Sequence, residues 1–195
     1  VLKILSGASA IIAEGEVDQL TAQRKIDTSE DRYLHIIRAK TAALFAAASR
    51  IAAVVAECSE EEEQALDEYG RNLGVAFQLV DDALDYDSNA AEMGKDRGDD
   101  FREGKMSLPV ILAYARGSEE EREFWKAAIA GFRTSDEDLD EAIRLIDSHN
   151  AMADTLDHEA LKPEIDGMEK SIRYLVDNMP GHGDFLEQYC PAPNV

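Results

Sequence analysis

The sequence predicts an all-α fold, and three observations carry that reading. Alanine and glutamate, both strong helix formers, crowd most segments. Serine followed three residues later by an acid, the signature of a helix start, recurs at Ser59, Ser118 and Ser135. No stretch alternates polar and apolar residues between turn signals, as a half-buried strand would. At 195 residues, with 12 glycines and 5 prolines, the chain is long enough for one packed domain and too poor in breakers for a loop-rich one.

Leu2 to about Gln19 reads as a helix, and because the chain opens on Val1 in helical pattern, it is expected to be a piece of a longer protein. Thr21 to Ser29 is a polar connector. Glu30 to about Glu57 reads as one long helix with Tyr33, Ile36, Ile37, Leu44, Ile51 and Val55 facing the core. Its second half is rich in alanine (Ala46, Ala47, Ala48, Ala52, Ala53), which allows close packing. Ser59 with Glu62 opens the next helix, predicted to reach Tyr86, and Glu60 to Glu63 suit the positive end of its dipole.

Asp87 to Lys105 reads as a long loop holding Asn89, Gly94, Gly98 and Gly104, and loops of that length commonly carry function. Ser107 is placed to cap the following helix, with Pro109 in its first turn, and that helix is expected to end near Gly117. Ser118 with Glu121 starts a helix through Trp125 to Ala130. Ser135 starts another, ending near Ser148. Beyond Asn150 the pattern weakens, and Pro163 and Pro180 are predicted to break it.

The formal net charge of −21 leaves no electrostatic footprint for nucleic acid, and no Lys/Arg run supplies one locally. The same acidity argues against docking on anionic lipid. No apolar run reaches the length of a membrane span. Cys58 and Cys190 lie in no metal-type or redox spacing and read as reduced thiols of a cytoplasmic protein. The four histidines, His35, His149, His158 and His182, form no ligand-type pair.

Chemistry concentrates in Phe77 to Tyr86. Gln78, Asp81, Asp82 and Asp85 fall at i, i+3, i+4 and i+7, one stripe of a helix, with Phe77, Val80 and Leu84 left to pack elsewhere. Three carboxylates on one stripe repel one another, and a hard cation such as Mg²⁺ turns that cost into binding. The 20 aspartates among 195 residues make one chance D-D-x-x-D match expected roughly 0.2 times, so the stripe alone decides little. The loop that follows, Gly94 to Pro109, adds Lys95 and Lys105, point charges suited to phosphate, and glycines that let backbone approach a ligand. Taken singly, each lysine reads as loop solubility more often than as a ligand.

F-Q-L-V-D-D-x-L-D-Y followed by G-K-x-x-G-x-D-x-x-E-G-K-x-S-L-P resembles the second aspartate-rich region of the trans-polyprenyl diphosphate synthases. It is most similar to the long-chain branch that makes octaprenyl and decaprenyl diphosphates. Ser107 stands where that family usually has threonine. Gly15 to Leu20 resembles the family's G-E-x-x-Q-L stretch, and Tyr33 to Phe45 its Y-x-x-x-I-x-x-K-T-A-x-L-F segment. The resemblance runs to about Asp157. Residues 159–195 depart from the family's pattern, and its basic C-terminal tail is not evident.

The resemblance implies an isoprenoid synthase type of helical bundle, incomplete at its start, in one domain over 1–195. It implies Mg²⁺ held by Asp81, Asp82 and Asp85, directly or through water. It implies that Lys40 and Lys95 hold an allylic diphosphate (geranyl or farnesyl), with Thr41 and Lys105 in the substrate site and Gln78 orienting it. Glu16 and Gln19 are as easily structural as involved. The implied reaction condenses isopentenyl diphosphate with the allylic diphosphate, in a homodimer. The family uses two aspartate stripes, and this sequence holds one, so the 195 residues alone are expected to be inactive. Two alternatives stay open: a non-catalytic subunit of a heteromeric synthase, and a class I terpene cyclase relative, against which the G-K-x-x-G-x-D-x-x-E-G-K loop argues.

Overall fold

A computed structural model of the chain describes residues 1–87, 98–156 and 158–178. The expectations attached to Lys95, to Pro180 and to the last residues, Cys190 included, lie outside them. Among the described residues every regular element is helical.

Helix α1 (Leu2–Ala22) leads through a turn to α2 (Glu30–Ile37), a π-helical turn (Arg38–Ala42) and α3 (Ala43–Val55). Helix α4 (Glu60–Leu84) is the longest of these elements. Shorter helices follow: α5 (Asp99–Glu103), α6 (Leu108–Arg116) and α7 (Glu119–Trp125), the last running into a second π turn (Lys126–Ala130). The remainder is α8 (Asp136–Ser148), α9 (Ala151–Leu156) and α10 (His158–Asn178). Capping boxes close the starts of α4, α7 and α8 at Ser59, Ser118 and Ser135, each serine accepting the backbone N–H three residues on.

Helix α4 is the spine of the bundle, with α3 along one side and α10 along another. Its glycines permit the α3 contact. A Cβ at Gly70 would lie 2.5 Å from the Phe45 carbonyl oxygen, and one at Gly74 would lie 2.6 Å from the Ala42 Cα. The alanines of α3 complete that seam, with Ala46, Ala47 and Ala53 buried. Val75, Leu79, Phe101, Leu108, Trp125 and Ile146 are fully enclosed in the main core, each such side chain contributing about 1.5–3 kcal/mol.

Five expectations are corrected. The stretch read as a loop over 87–105 holds helix α5 (Asp99–Glu103). The helix over 30–57 is one helical run, but the π turn inserts a residue and rotates everything after it by about 100°. Tyr33, Ile36 and Ile37 before the turn are buried as expected, whereas Leu44 and Val55 after it are 55% and 70% exposed, and alanines take their place inside. Phe77 and Val80 do not pack into the core; both are exposed, and Phe77 leans on Phe45 with ring centres 5.4 Å apart. Ser107 precedes α6 as predicted, yet its hydroxyl makes no capping bond. Finally, Pro163 does not break the chain: α10 runs through it. The face of α10 that carries Glu164, Gly167 and Ser171 packs so tightly on α4 that a Cβ at Gly167 would collide with the Asn72 amide nitrogen. That packing offsets the backbone hydrogen bond a proline removes.

Candidate functional site

The end of α1, the α2–π turn and the second half of α4 wall a pocket of about 100 Å³. Its lining brings together Tyr33, Lys40, Thr41, Gln78, Asp82 and Lys105. These residues come from segments up to 72 positions apart in sequence, so only the fold assembles them. Lys40 and Thr41 sit on the π turn, a local widening of the helix that often marks functional positions. The turn is seated against α1 at Gly15, where a Cβ would approach the Lys40 backbone nitrogen to 2.7 Å. That contact gives the glycine of the G-E-x-x-Q-L stretch its reason. In the same stretch, Glu16 pairs with the Lys40 ammonium at 2.8 Å, and Gln19 lines the pocket.

A chain of hydrogen bonds crosses the pocket floor. Thr41 Oγ1 donates to Gln78 Oε1 at 2.8 Å, and Gln78 Nε2 donates to Asp82 Oδ1 at 2.7 Å. The Tyr33 hydroxyl donates to Asp82 Oδ2, also at 2.7 Å. Both Asp82 oxygens are therefore engaged, and the residue is only 6% exposed. Burial, with the Asp100 carboxylate adding to it, pushes the Asp82 carboxyl up from 3.8 to about 7.

Asp85, at the exit of α4, accepts the Asp100 backbone N–H at 3.0 Å, and its own carbonyl accepts from Gly98. Partial burial and the Asp100 charge raise it to about 6, against the pull of the backbone donors. Asp81, one turn before Asp85, is half-buried on the same face. Across from the stripe, Lys105 Nζ reaches Asp100 at 2.5 Å and Glu103 at 3.0 Å. Burial alone would pull its ammonium down, but the Asp100 and Glu103 bonds outweigh burial and raise it.

Of the residues singled out from sequence, Lys40, Thr41, Gln78, Asp82 and Lys105 meet at this pocket, and Asp81 and Asp85 continue the stripe beyond it. Lys95 lies outside the described residues. Sequence reasoning missed Tyr33 as more than core, and Asp100 as the acid that ties Lys105 to Asp85. The tyrosine hydroxyl had no visible partner, because Asp82 lies 49 positions away. Asp100 is the fixed acid of the G-K-x-x-G-x-D-x-x-E-G-K loop, but its spacing gives no sign that its carboxylate takes Lys105 while its backbone N–H takes Asp85.

The donor chemistry of the stripe suits a hard divalent cation. Among the described residues, however, no three Asp, Glu, His or Cys side chains converge on one point. That arrangement still fits Mg²⁺, which is commonly held by one or two carboxylates with phosphate oxygens and water completing the shell. Within the stripe, Asp82 is engaged by Tyr33 and Gln78, and Asp85 accepts the Asp100 backbone N–H.

An all-helical bundle with a carboxylate stripe on its central helix and lysines around the pocket beside it is of the isoprenoid synthase type. A sequence model of the Polyprenyl synthetase family matches residues 1–146, and the chain belongs to that family. The octaprenyl diphosphate synthase of Escherichia coli (strain K12) is 45% identical over 129 residues, covering 66% of this chain and 40% of that protein. The crystal structure of a decaprenyl diphosphate synthase from Rhodobacter capsulatus superposes with a TM-score of 0.82 at 44% identity, covering 96% of this chain and 56% of that one. A polyprenyl synthase from Caulobacter crescentus CB15, solved in complex with calcium and isoprenyl diphosphate, gives a TM-score of 0.84 at 45% identity over 89% of this chain and 52% of that one. The chain thus spans 40% of the Escherichia coli enzyme's length and 52–56% of the two solved relatives.

Proposed function

We propose that this chain supplies the allylic-diphosphate half of a trans-prenyltransferase, which joins isopentenyl diphosphate to geranyl or farnesyl diphosphate. The carrying observation is the convergence of Lys40, Thr41, Gln78 and Lys105 with Asp82 of the stripe around one pocket. The Caulobacter relative's complex with a divalent cation and an isoprenyl diphosphate supports the same reading.

Lys40 and Lys105 bind the diphosphate as point charges, Lys40 exchanging its Glu16 partner for phosphate oxygen. Lys95 is proposed for the same role. Asp81 and Asp85 would hold Mg²⁺, which when bound neutralises charge developing on the leaving diphosphate. Asp82 does not need to touch the metal. It fixes Gln78 and Tyr33, and Gln78 in turn fixes Thr41, so the floor of the site is set before substrate arrives. In the reaction the allylic C–O bond breaks, its electrons leave with diphosphate, the isopentenyl double bond attacks the allylic carbon, and a proton is lost.

We further place the protein in the cytoplasm as a homodimer. No described helix is long and apolar enough to cross a membrane, and α1 leaves Leu2, Val17 and Leu20 on the surface, 59–82% exposed. Calorimetric titration of farnesyl diphosphate into the chain tests the reading. Binding that appears with Mg²⁺ and vanishes with a chelator is expected; binding unchanged by the chelator, or none with Mg²⁺, refutes it.

A further inference from the structure

The joint between α1 and α2 does more than connect them. Gln23 and Arg24 together take three successive carbonyls at the end of α5. Gln23 Nε2 donates to Glu103 O at 2.6 Å, the Arg24 backbone N–H to Gly104 O at 2.9 Å, and Arg24 Nη2 to Arg102 O at 3.5 Å. Arg24 Nη1 reaches a further carbonyl, that of Ile129 in the second π turn, at 3.4 Å, and its guanidinium lies 3.6 Å over the Phe132 ring. A cation at the carbonyl end of helical turns is stabilised by the charge exposed there.

Arg24 meets these partners from a left-handed backbone, φ 62°, a conformation that is strained for arginine and persists where the surroundings impose it. Gly104 is fitted to it twice: its own φ is 74°, and a Cβ there would lie 2.8 Å from Arg24 Cγ. The residue that follows Gly104 is Lys105, which bonds Asp100, whose backbone N–H bonds Asp85. The end of α1 therefore grips the turn that presents one of the site's cations to the carboxylate stripe.

We infer that Arg24, with Gln23, is a positioning residue for the diphosphate site: it holds the α5–α6 turn so that Lys105 faces the stripe. This rests on the proposed function. The test uses the whole chain, with inorganic pyrophosphate and Mg²⁺ as the probe, titrated by calorimetry. Arg24→Gly removes the guanidinium while tolerating the left-handed backbone, so the turn survives. Arg116→Ala serves as the control: its guanidinium bonds the His149 carbonyl and Asp154 at the far end of α6, away from the pocket.

Arg24→Gly is expected to weaken pyrophosphate binding about tenfold, with amide exchange at Asp100 and Lys105 accelerated. Arg116→Ala should lower Tm and leave the affinity unchanged. Equal affinity in Arg24→Gly and the parent, or an equal loss in Arg116→Ala, overturns the inference while leaving the functional reading standing. A parent chain that binds no pyrophosphate overturns the functional reading, and the inference falls with it.

Discussion

Replacing Asp82 with asparagine isolates the cost of keeping a carboxyl out of water. Burial, aided by the Asp100 charge, raises its pKa from 3.8 to about 7. Between those values the folded protein holds a proton that the unfolded chain releases. Stability from this group is therefore present at low pH, is lost as pH climbs toward about 7, and is level above it. The Asp82→Asn variant does not titrate, and its amide can accept from Gln78 while donating to the Tyr33 oxygen. Measurements should begin near pH 5, because close to the isoelectric point of about 4.4 the chain loses the net charge that keeps it dispersed. From pH 5 to pH 8 the unfolding free energy of the variant, relative to the parent, should rise by about 2–3 kcal/mol. Urea unfolding followed by circular dichroism at pH 5, 6.5 and 8 gives that difference directly. A difference that is flat across this range, or that falls, would refute the claim that burial outweighs the Tyr33 and Gln78 hydrogen bonds and holds the Asp82 carboxyl above its usual range.

Other outcomes follow from the same geometry. Gly74→Ala places a methyl 2.6 Å from the Ala42 Cα, and despite alanine's better helix propensity it should cost about 1–3 kcal/mol, read as a lowered Tm. Lys40→Met should barely change Tm, since the Lys40–Glu16 pair is partly exposed, yet it should weaken Mg²⁺-dependent farnesyl diphosphate binding about tenfold or more. The 195-residue polypeptide carries D-D-x-x-D once and is expected to show no turnover in a prenyl-transfer assay with radiolabelled isopentenyl diphosphate. Measurable turnover would show that one stripe suffices.

Much of this was legible in the residues. Helix starts were, because a capping serine and its acid lie three positions apart and both act locally. The aspartate stripe and Lys40 were, because helical spacing and a specific motif place them. The π turn was not: it leaves no signature in composition, and a one-residue insertion is enough to put Leu44 and Val55 outside and alanines inside. Nor was the division of labour within the stripe. Asp81 and Asp82 are neighbours in sequence with the same side chain, and only the fold reveals that Tyr33 and Gln78 claim the second of them. Arg24 read as part of a polar connector, because the carbonyls its guanidinium meets lie 78 and 105 positions away.

The proposed function turns on a metal–diphosphate complex held between Asp81 and Asp85 on one side and Lys40 and Lys105 on the other. The competing outcome in so acidic a chain is metal scattered over its acidic helix starts, such as Glu60–Glu63 in α4 and Asp136–Asp138 in α8. Mn²⁺ in place of Mg²⁺, read by paramagnetic broadening of amide resonances with and without pyrophosphate, separates the two. Broadening that requires pyrophosphate and centres on Asp81, Asp85 and Lys105 is expected. Broadening that ignores pyrophosphate, or that centres on the starts of α4 and α8, would contradict it.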